Sequence, residues 1–159
     1  MTTCCHCGKG TGLRYYSLEK TIERISSVIP NSRPGQEQTA LTYSVQVIFS
    51  MELEQYCNAH CWQAMEVTKI REHAIRYPYP EQHGLMATCS RCGQAFLATH
   101  PYMALNVMDL ALDEKPWLTS AMVHFSETLA RFCPDCEPPA GLATATTAIE
   151  HPSQLKALS

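Results

Sequence analysis

The sequence predicts an α+β fold made of two small, tandemly duplicated modules, each with a β-hairpin, and one long helix. Three observations support this prediction. Most of the cysteines fall in closely spaced pairs, the stretch that precedes one pair recurs before another, and polar and apolar residues alternate in the segments between pairs. Alternation with a period of two residues is typical of a half-buried strand.

Length, charge and hydropathy limit the classes of protein that this chain can represent. A chain of 159 residues accommodates one ordinary domain or two small ones of about 50 to 150 residues. The net charge is −3, and residues 1–80 contain eight basic and seven acidic side chains, whereas residues 81–159 contain four and eight. Only the first half could therefore supply the clustered basic surface that a binder of phosphate backbones uses.

The chain shows no signal for export or for a membrane. Its N-terminus lacks the basic start and the apolar segment of a secretory signal. No apolar run approaches the roughly 18 to 20 residues that cross a bilayer. We therefore expect a soluble, cytoplasmic protein.

An internal repeat relates residues 47–57 to residues 123–133. Both segments carry Val, Phe, Ser, Leu, an aromatic residue and Cys at the same offsets, which predicts a duplicated structural unit. We place the first module at residues 1–80 and the second at residues 81–137. Residues 77–84 join them, and residues 138–159, which begin with a Pro-Pro pair and continue with a Thr/Ala-rich run, form a mostly disordered tail.

Each module is expected to contain a β-hairpin. Residues 41–51 carry apolar side chains at every second position, with polar side chains at most of the positions between them, which predicts a strand. Residues 13–29 fit either a strand or an amphipathic helix, and we favour the strand because it would pair with residues 41–51. The turn-forming residues 30–36 separate the two segments. In the second module, residues 103–112 and 118–125 flank a similar polar turn.

A single long helix is predicted between the hairpin of the first module and the linker. Residues 58–77 contain no Gly or Pro, and Pro78 ends the segment. Val67, Ile70, Ala74 and Tyr77 lie on one face at helical spacing. We expect this face to pack inward and the helix to have about five turns.

The cysteine pairs predict two metal sites. Two cysteines separated by two residues can bind one ion from a tight turn, and Gly8 and Gly93 follow the first pair of each module, where an open backbone is useful. Zinc prefers thiolate ligands, and four of them close the coordination shell, so such a site is structural rather than catalytic. We therefore expect two structural Zn²⁺ ions. The predicted ligands are Cys4, Cys7, Cys57 and Cys61 in one site, and Cys89, Cys92, Cys133 and Cys136 in the other.

Other potential ligands lie close to the first predicted site. Cys5 and His6 lie inside the first turn, and His60 precedes Cys61, so His60 could replace Cys61 as the partner of Cys57. We favour Cys61, leave Cys5 as a spare thiol and assign no role to His60.

The first module resembles the treble-clef zinc fingers of the FCS type, relatives of the MYM and TRASH fingers. The resemblance rests on a Cys-x-x-Cys-Gly knuckle, a hairpin and an aromatic-Cys-x-x-x-Cys pattern at the start of a helix, and it covers residues 1–76. Tyr56 takes the place of the Phe and Asn58 that of the Ser. The second module departs from the pattern because its last pair is Cys-x-x-Cys followed by two prolines, and it is closer to a truncated treble clef or a zinc ribbon. The resemblance implies a binding module.

Sequence motifs for catalysis are not found. The pair Cys133 and Cys136 lacks the βαβ context of a thiol-redox motif. Glu127 follows His124 at the wrong spacing for a zinc deaminase, and Phe132 stands where that signature needs Pro. No haem-attachment motif, phosphate-binding loop or dinucleotide-binding loop is present. We therefore expect a protein that is not an enzyme.

The predicted helix also carries a candidate surface for a partner. Aromatic and Met side chains beside basic ones are typical of interface anchors, and they also suit stacked nucleotides. The alternative is that Trp62 packs on the hairpin or on the second module. We expect a zinc-binding adaptor or regulator that binds a protein, with a nucleic-acid-binding regulator as the alternative. The candidate contact residues are Trp62, Met65, Lys69, His73 and Arg76.

Overall fold

The computed structural model describes residues 2–28, 42–115 and 117–139. This part of the chain is mostly β-sheet with one helix. The predicted turn at residues 30–36 and the tail from residue 140 onward lie outside the described residues. The elements are β1 (Arg14–Val28), β2 (Thr42–Tyr56), α1 (Ala59–Glu72), β3 (Gln82–His83), β4 (Met86–Thr88), β5 (Ala95–Leu97), β6 (Tyr102–Lys115) and β7 (Leu118–Phe132).

Both predicted hairpins are confirmed. β1 (Arg14–Val28) pairs antiparallel with β2, so the described part of residues 13–29 contains a strand rather than a helix, and β6 pairs antiparallel with β7. The strands are longer than predicted, since β2 continues to Tyr56 and β7 to Phe132. Each strand therefore runs directly into the second cysteine pair of its module.

The two hairpins are joined into one sheet. β1 and β6 pair antiparallel from Arg14↔Ala111 to Glu23↔Tyr102, which gives the strand order β2-β1-β6-β7. A second, three-stranded sheet of β3, β4 and β5 belongs to the second half of the chain. The predicted modules thus share a backbone ladder, which sequence patterns within each module could not indicate.

The duplication extends to irregularities in the strands. The β1–β2 ladder shifts register after Leu18 and again after Ile22, and the β6–β7 ladder shifts after Leu105 and again after Asp109, with the same spacing. Glu19 is therefore the counterpart of Asn106, and these two residues pair directly in the β1–β6 ladder. An approximate two-fold axis consequently passes through this pair and relates the two hairpins. β-Bulges are specific structural features of a strand rather than random defects. Bulges at equivalent positions in the two hairpins therefore support a true internal repeat.

The two faces of the large sheet have different cores. On the face that we call the helix face, Leu18, Ile22 and Leu105 pack in one cluster with Trp62 of α1. On the opposite face, Ile25, Tyr102 and Ala104 pack in a second cluster with Phe96 of the small sheet. The strand period of two residues places the members of each set on the same side.

The helix is shorter than predicted. It ends at Glu72, and His73 is its C-cap. Ala74 adopts a left-handed backbone with φ 53°, its N–H donates to Arg71 O at 3.1 Å, and the Ile75 N–H donates to Ile70 O at 2.9 Å. This pair of bonds is a Schellman motif, which terminates a helix. The prediction of a helix to residue 77 was wrong because the sequence contains no Gly at the position that reverses the chain.

Ala74 is expected to carry backbone strain. A residue with a Cβ atom costs about 1 kcal/mol more than Gly in the left-handed region. We expect Ala74→Gly to raise the free energy of unfolding by up to about 1 kcal/mol, measured by urea denaturation. Ala64→Gly, in the middle of α1, should instead lower it by roughly the same amount. A destabilised Ala74→Gly protein would contradict the assigned helix end.

No helix among the described residues is both long and apolar enough to cross a membrane.

Candidate metal centres

The first candidate metal centre joins both ends of the first hairpin. Cys4 and Cys7 lie in the turn before β1, Cys57 directly follows β2, and Cys61 lies in the first turn of α1. Asn58 is the N-cap of α1, and its side-chain oxygen accepts a hydrogen bond from the Cys61 N–H at 2.9 Å. An Asn at this position satisfies a free helix donor. It thereby holds the helix start, and Cys61 with it, against the end of β2.

The second centre is built in the same way without the helix. Cys89 and Cys92 lie between β4 and β5, and Cys133 directly follows β7. The turn that contains Cys4 and Cys7 and the turn that contains Cys89 and Cys92 form equivalent backbone hydrogen bonds. Gly8 N donates to Cys4 O and Gly93 N to Cys89 O, both at 2.9 Å, and the two glycines have φ values of 74° and 77°. These left-handed angles explain why Gly follows each pair.

The distances between the sulfur atoms fit tetrahedral coordination of one metal ion. All four Sγ atoms of each group lie within 4.8 Å of one another. The sulfurs of Cys57 and Cys61 are 3.4 Å apart, those of Cys7 and Cys57 3.5 Å, and those of Cys92 and Cys133 3.8 Å. A tetrahedron with metal–sulfur bonds of about 2.3 Å has edges of about 3.8 Å. Disulfide sulfurs are only about 2.05 Å apart, and all nine cysteines are free. Both groups therefore fit a metal ion.

Hydrogen bonds in the turns favour the thiolate form that a metal needs. Burial raises the pKa of the Cys4 thiol, but the backbone N–H groups of Cys7, Cys57 and His6 bond to its sulfur and lower the pKa to about 6. At Cys89, burial again raises the pKa, and the backbone N–H groups of Cys92, Cys133 and Arg91 lower it to about 6. Each turn thus prepares one ligand for binding, because cysteine binds metals as a thiolate.

Without a metal ion, one other thiol in each group is held in its protonated form. The adjacent Cys57 sulfur, together with burial, raises the pKa of Cys61 to about 12. Burial and the Cys133 sulfur likewise raise the pKa of Cys136 to about 12. Four thiolates this close repel one another, and a divalent cation offsets that repulsion when it binds.

The alternative ligands lie outside both groups. Cys5 and His60 are exposed, and neither belongs to the cluster of sulfurs around Cys4. His60 precedes Cys61 on α1, and the helical rotation of about 100° per residue turns the two side chains apart.

The structure places the predicted contact residues of α1 differently from the expectation. Trp62 is 5% exposed and Lys69 is also buried, so neither has the exposed side chain that was expected of it, which corrects that prediction. Met65 and His73 are partly buried, and Arg76 is exposed. Val67, expected to face inward, is 66% exposed. The inward face is therefore the one that carries Cys61, Trp62 and Met65.

Specific contacts explain this orientation of the helix. The Trp62 ring meets the Tyr56 ring edge to face, with centroids 5.4 Å apart. Lys69 Nζ donates to Glu54 Oε1 at 2.6 Å and to Glu72 Oε2 at 2.8 Å. Its charge is thereby neutralised by β2 and by the helix itself. Cys61 lies in the first cysteine group, so the helix is rotated to point Cys61 inward, and Met65, one turn further along the same face, is also partly buried.

Arg91 connects the second centre to the end of α1 and was not identified from the sequence. Its guanidinium donates to Cys136 O at 3.2 Å and to His73 O at 2.7 Å, and it stacks over the Phe132 ring at 4.6 Å. The carbonyl of Ser90, the residue before it, accepts hydrogen bonds from Arg76 N and Tyr77 N. The turn between Cys89 and Cys92 thus binds the C-terminal end of α1 and the residues that follow it. An Arg between two ligand cysteines was the only available signal, and it does not specify these distant partners.

Comparison of the chain with protein-family models, with curated proteins and with solved structures found no match. Fold and site together define a small, mostly β protein with one helix in its described part and two tetra-cysteine groups that could hold metal ions.

Proposed function

We propose that this protein is a zinc-stabilised, non-catalytic interaction protein, an adaptor or regulator that acts by binding a protein partner. The ions are proposed to be Zn²⁺, because a tetrahedral set of four thiolates is the ligand set that zinc prefers. A site closed by four protein ligands has no position for water or substrate. The two centres are therefore expected to hold the hairpins in place and to leave the chemistry of the partner unchanged.

The observation that carries this proposal is the apolar surface of the two outer strands. β2 and β7 are the edge strands of the large sheet, and natural edges are usually protected by charged residues or Pro. Here residues 42–51 contain no charged side chain, and residues 118–126 contain none besides His124. An apolar edge strand without charged residues can pair with a strand of another chain. The exposed residues are Val45, Val47, Ile48 and Met51 on β2, and Leu118, Met122, Val123 and Phe125 on β7.

The charge distribution supports a protein rather than a nucleic acid as partner. Lys69, one of the basic residues expected on a nucleic-acid surface, pairs with Glu54 and Glu72. Only Arg71 and Arg76 remain exposed on that part of the chain. Two separated charges release few counterions and supply little affinity for a phosphate backbone.

Capture of a partner from an extract of the source organism tests the proposal. We expect the tagged, zinc-loaded protein to retain a stoichiometric protein that survives nuclease treatment, identified by mass spectrometry. Val123→Lys should weaken the capture because it places a charge on the apolar edge. Val67→Lys makes the same change on the outer side of α1 and should have no effect. Recovery of nucleic acid, or loss of every partner after nuclease treatment, would favour the nucleic-acid alternative.

A further inference from the structure

A groove of about 250 Å³ lies between α1 and β7 on the helix face of the sheet. It is separate from both cysteine groups, and we call it the α1–β7 groove. Its lining includes four aromatic residues, Tyr16, Trp62, Tyr79 and Phe125, and two acidic ones, Glu66 and Glu127.

The aromatic side chains form the floor and the mouth of this groove. Trp62 is part of the buried core, whereas Phe125 is 49% exposed and Tyr79 is 43% exposed. Tyr79 has a left-handed backbone with φ 57°, and its N–H donates to Leu129 O at 3.0 Å. A bulky residue rarely adopts this conformation, and such strain concentrates at functional positions. The fold therefore holds an exposed aromatic ring at the mouth of the groove at an energetic cost.

The two carboxylates give the groove an uncompensated negative charge. Glu66 comes from α1 and Glu127 from β7, so one lies on each wall. Burial raises the pKa of Glu66, and the negative charge of Glu127 raises it further. Within the described part of the chain, neither carboxylate forms an ion pair. A cation between them would remove this repulsion.

We propose that the α1–β7 groove binds an arginine side chain of the protein partner, with its guanidinium between Glu66 and Glu127 and its flat face on the aromatic rings. A guanidinium stacks on aromatic faces and forms directed hydrogen bonds to carboxylates, which a neutral side chain does not do. The inference rests on the proposed function, because it names the group of the partner that is recognised.

A short peptide tests the groove directly. Trp117→Phe leaves Trp62 as the only tryptophan, so that Trp62 fluorescence reports on the groove; the chain contains two tryptophans, and Trp117 is exposed. We expect acetyl-Gly-Gly-Arg-Gly-Gly-amide to change this fluorescence saturably, and the peptide with neutral citrulline in place of arginine to bind at least about ten-fold more weakly. Equal binding of the two peptides, or no binding of either, would overturn the inference.

Paired variants locate the site. Glu66→Gln combined with Glu127→Gln keeps the shape of both side chains and should weaken binding of the arginine peptide at least about ten-fold. Glu114→Gln removes an exposed carboxylate from the opposite face of the sheet and should leave binding unchanged. Circular dichroism of each variant verifies that it is folded. Unchanged binding by the double variant would overturn the inference.

Partner capture separates this inference from the proposed function. If the Glu66→Gln/Glu127→Gln protein retains the same partner as well as the native protein does, the groove is not the recognition site and the proposed function stands. If the native protein captures no protein at all, the proposed function fails, and the peptide titration still decides whether the groove binds arginine.

Discussion

Replacement of one ligand cysteine is expected to remove one metal ion and to unfold the corresponding part of the chain. In Cys57→Ser the first centre keeps three of its four thiolates, and in Cys133→Ser the second does. Structural zinc supplies roughly 10 to 16 kcal/mol of apparent binding energy that is also folding energy. A small domain is stable by only about 5 to 15 kcal/mol in total. The loss of most of the metal contribution is therefore expected to exceed the stability that remains.

Metal content and circular dichroism measured on the same samples check this expectation. The native chain should bind two ions, whereas Cys57→Ser and Cys133→Ser should each bind one and lose part of the β-sheet signal. Cys5→Ser is the matched control, because Cys5 is exposed and lies outside both groups. It should keep both ions and the native spectrum. Two bound ions and an unchanged spectrum in either ligand variant would refute the ligand assignment.

Because both hairpins belong to one sheet, loss of one centre is expected to destabilise the other half of the chain as well. Cys133 follows β7, which pairs with β6, and β6 in turn pairs with β1 of the first half. Cys133→Ser should therefore also lower the thermal stability of the first hairpin, although its own cysteine group is intact. Two modules without a common ladder would instead lose stability independently.

Removal of Glu23 is expected to destabilise the protein strongly. Glu23 and Arg131 are both buried on the sheet face opposite α1, and Arg131 Nε lies 3.8 Å from Glu23 Oε1. The Tyr102 hydroxyl donates to Glu23 Oε1 at 3.1 Å, and the Thr21 hydroxyl donates to Oε2 at 3.2 Å. Without the carboxylate, the Arg131 charge is buried and uncompensated, which typically costs about 3 to 5 kcal/mol.

Urea denaturation of a single and a double variant measures this effect. We expect Glu23→Ala to lose about 3 to 5 kcal/mol, and the double variant Glu23→Leu/Arg131→Met to lose clearly less, because no buried charge remains. Nε and Nη1 of Arg131 have no hydrogen-bond partner among the described residues, so its replacement leaves few bonds broken. Glu81→Ala at an exposed position should change the free energy of unfolding by less than about 0.5 kcal/mol. A Glu23→Ala variant as stable as the native chain would contradict the expectation.

The sequence alone determined the local features of this protein. The cysteine spacing predicted the two ligand sets that the structure brings together, and the alternation of side chains predicted both hairpins. The repeat of residues 47–57 at residues 123–133 predicted the duplication that the matching bulges support. Such features depend on residues close together in the chain, where spacing and periodicity carry the information.

Only the tertiary structure decided the features that depend on distant contacts. The pairing of β1 with β6 joins strands from different halves of the chain, and no local pattern specifies it. The inward face of α1 was predicted wrongly because its rotation follows from Cys61 and from the pairing of Lys69 with Glu54 on β2. The α1–β7 groove likewise exists only where a helix of the first half lies against a strand of the second. A long-range contact is selected by the packing of the whole chain, and a one-dimensional pattern does not contain it.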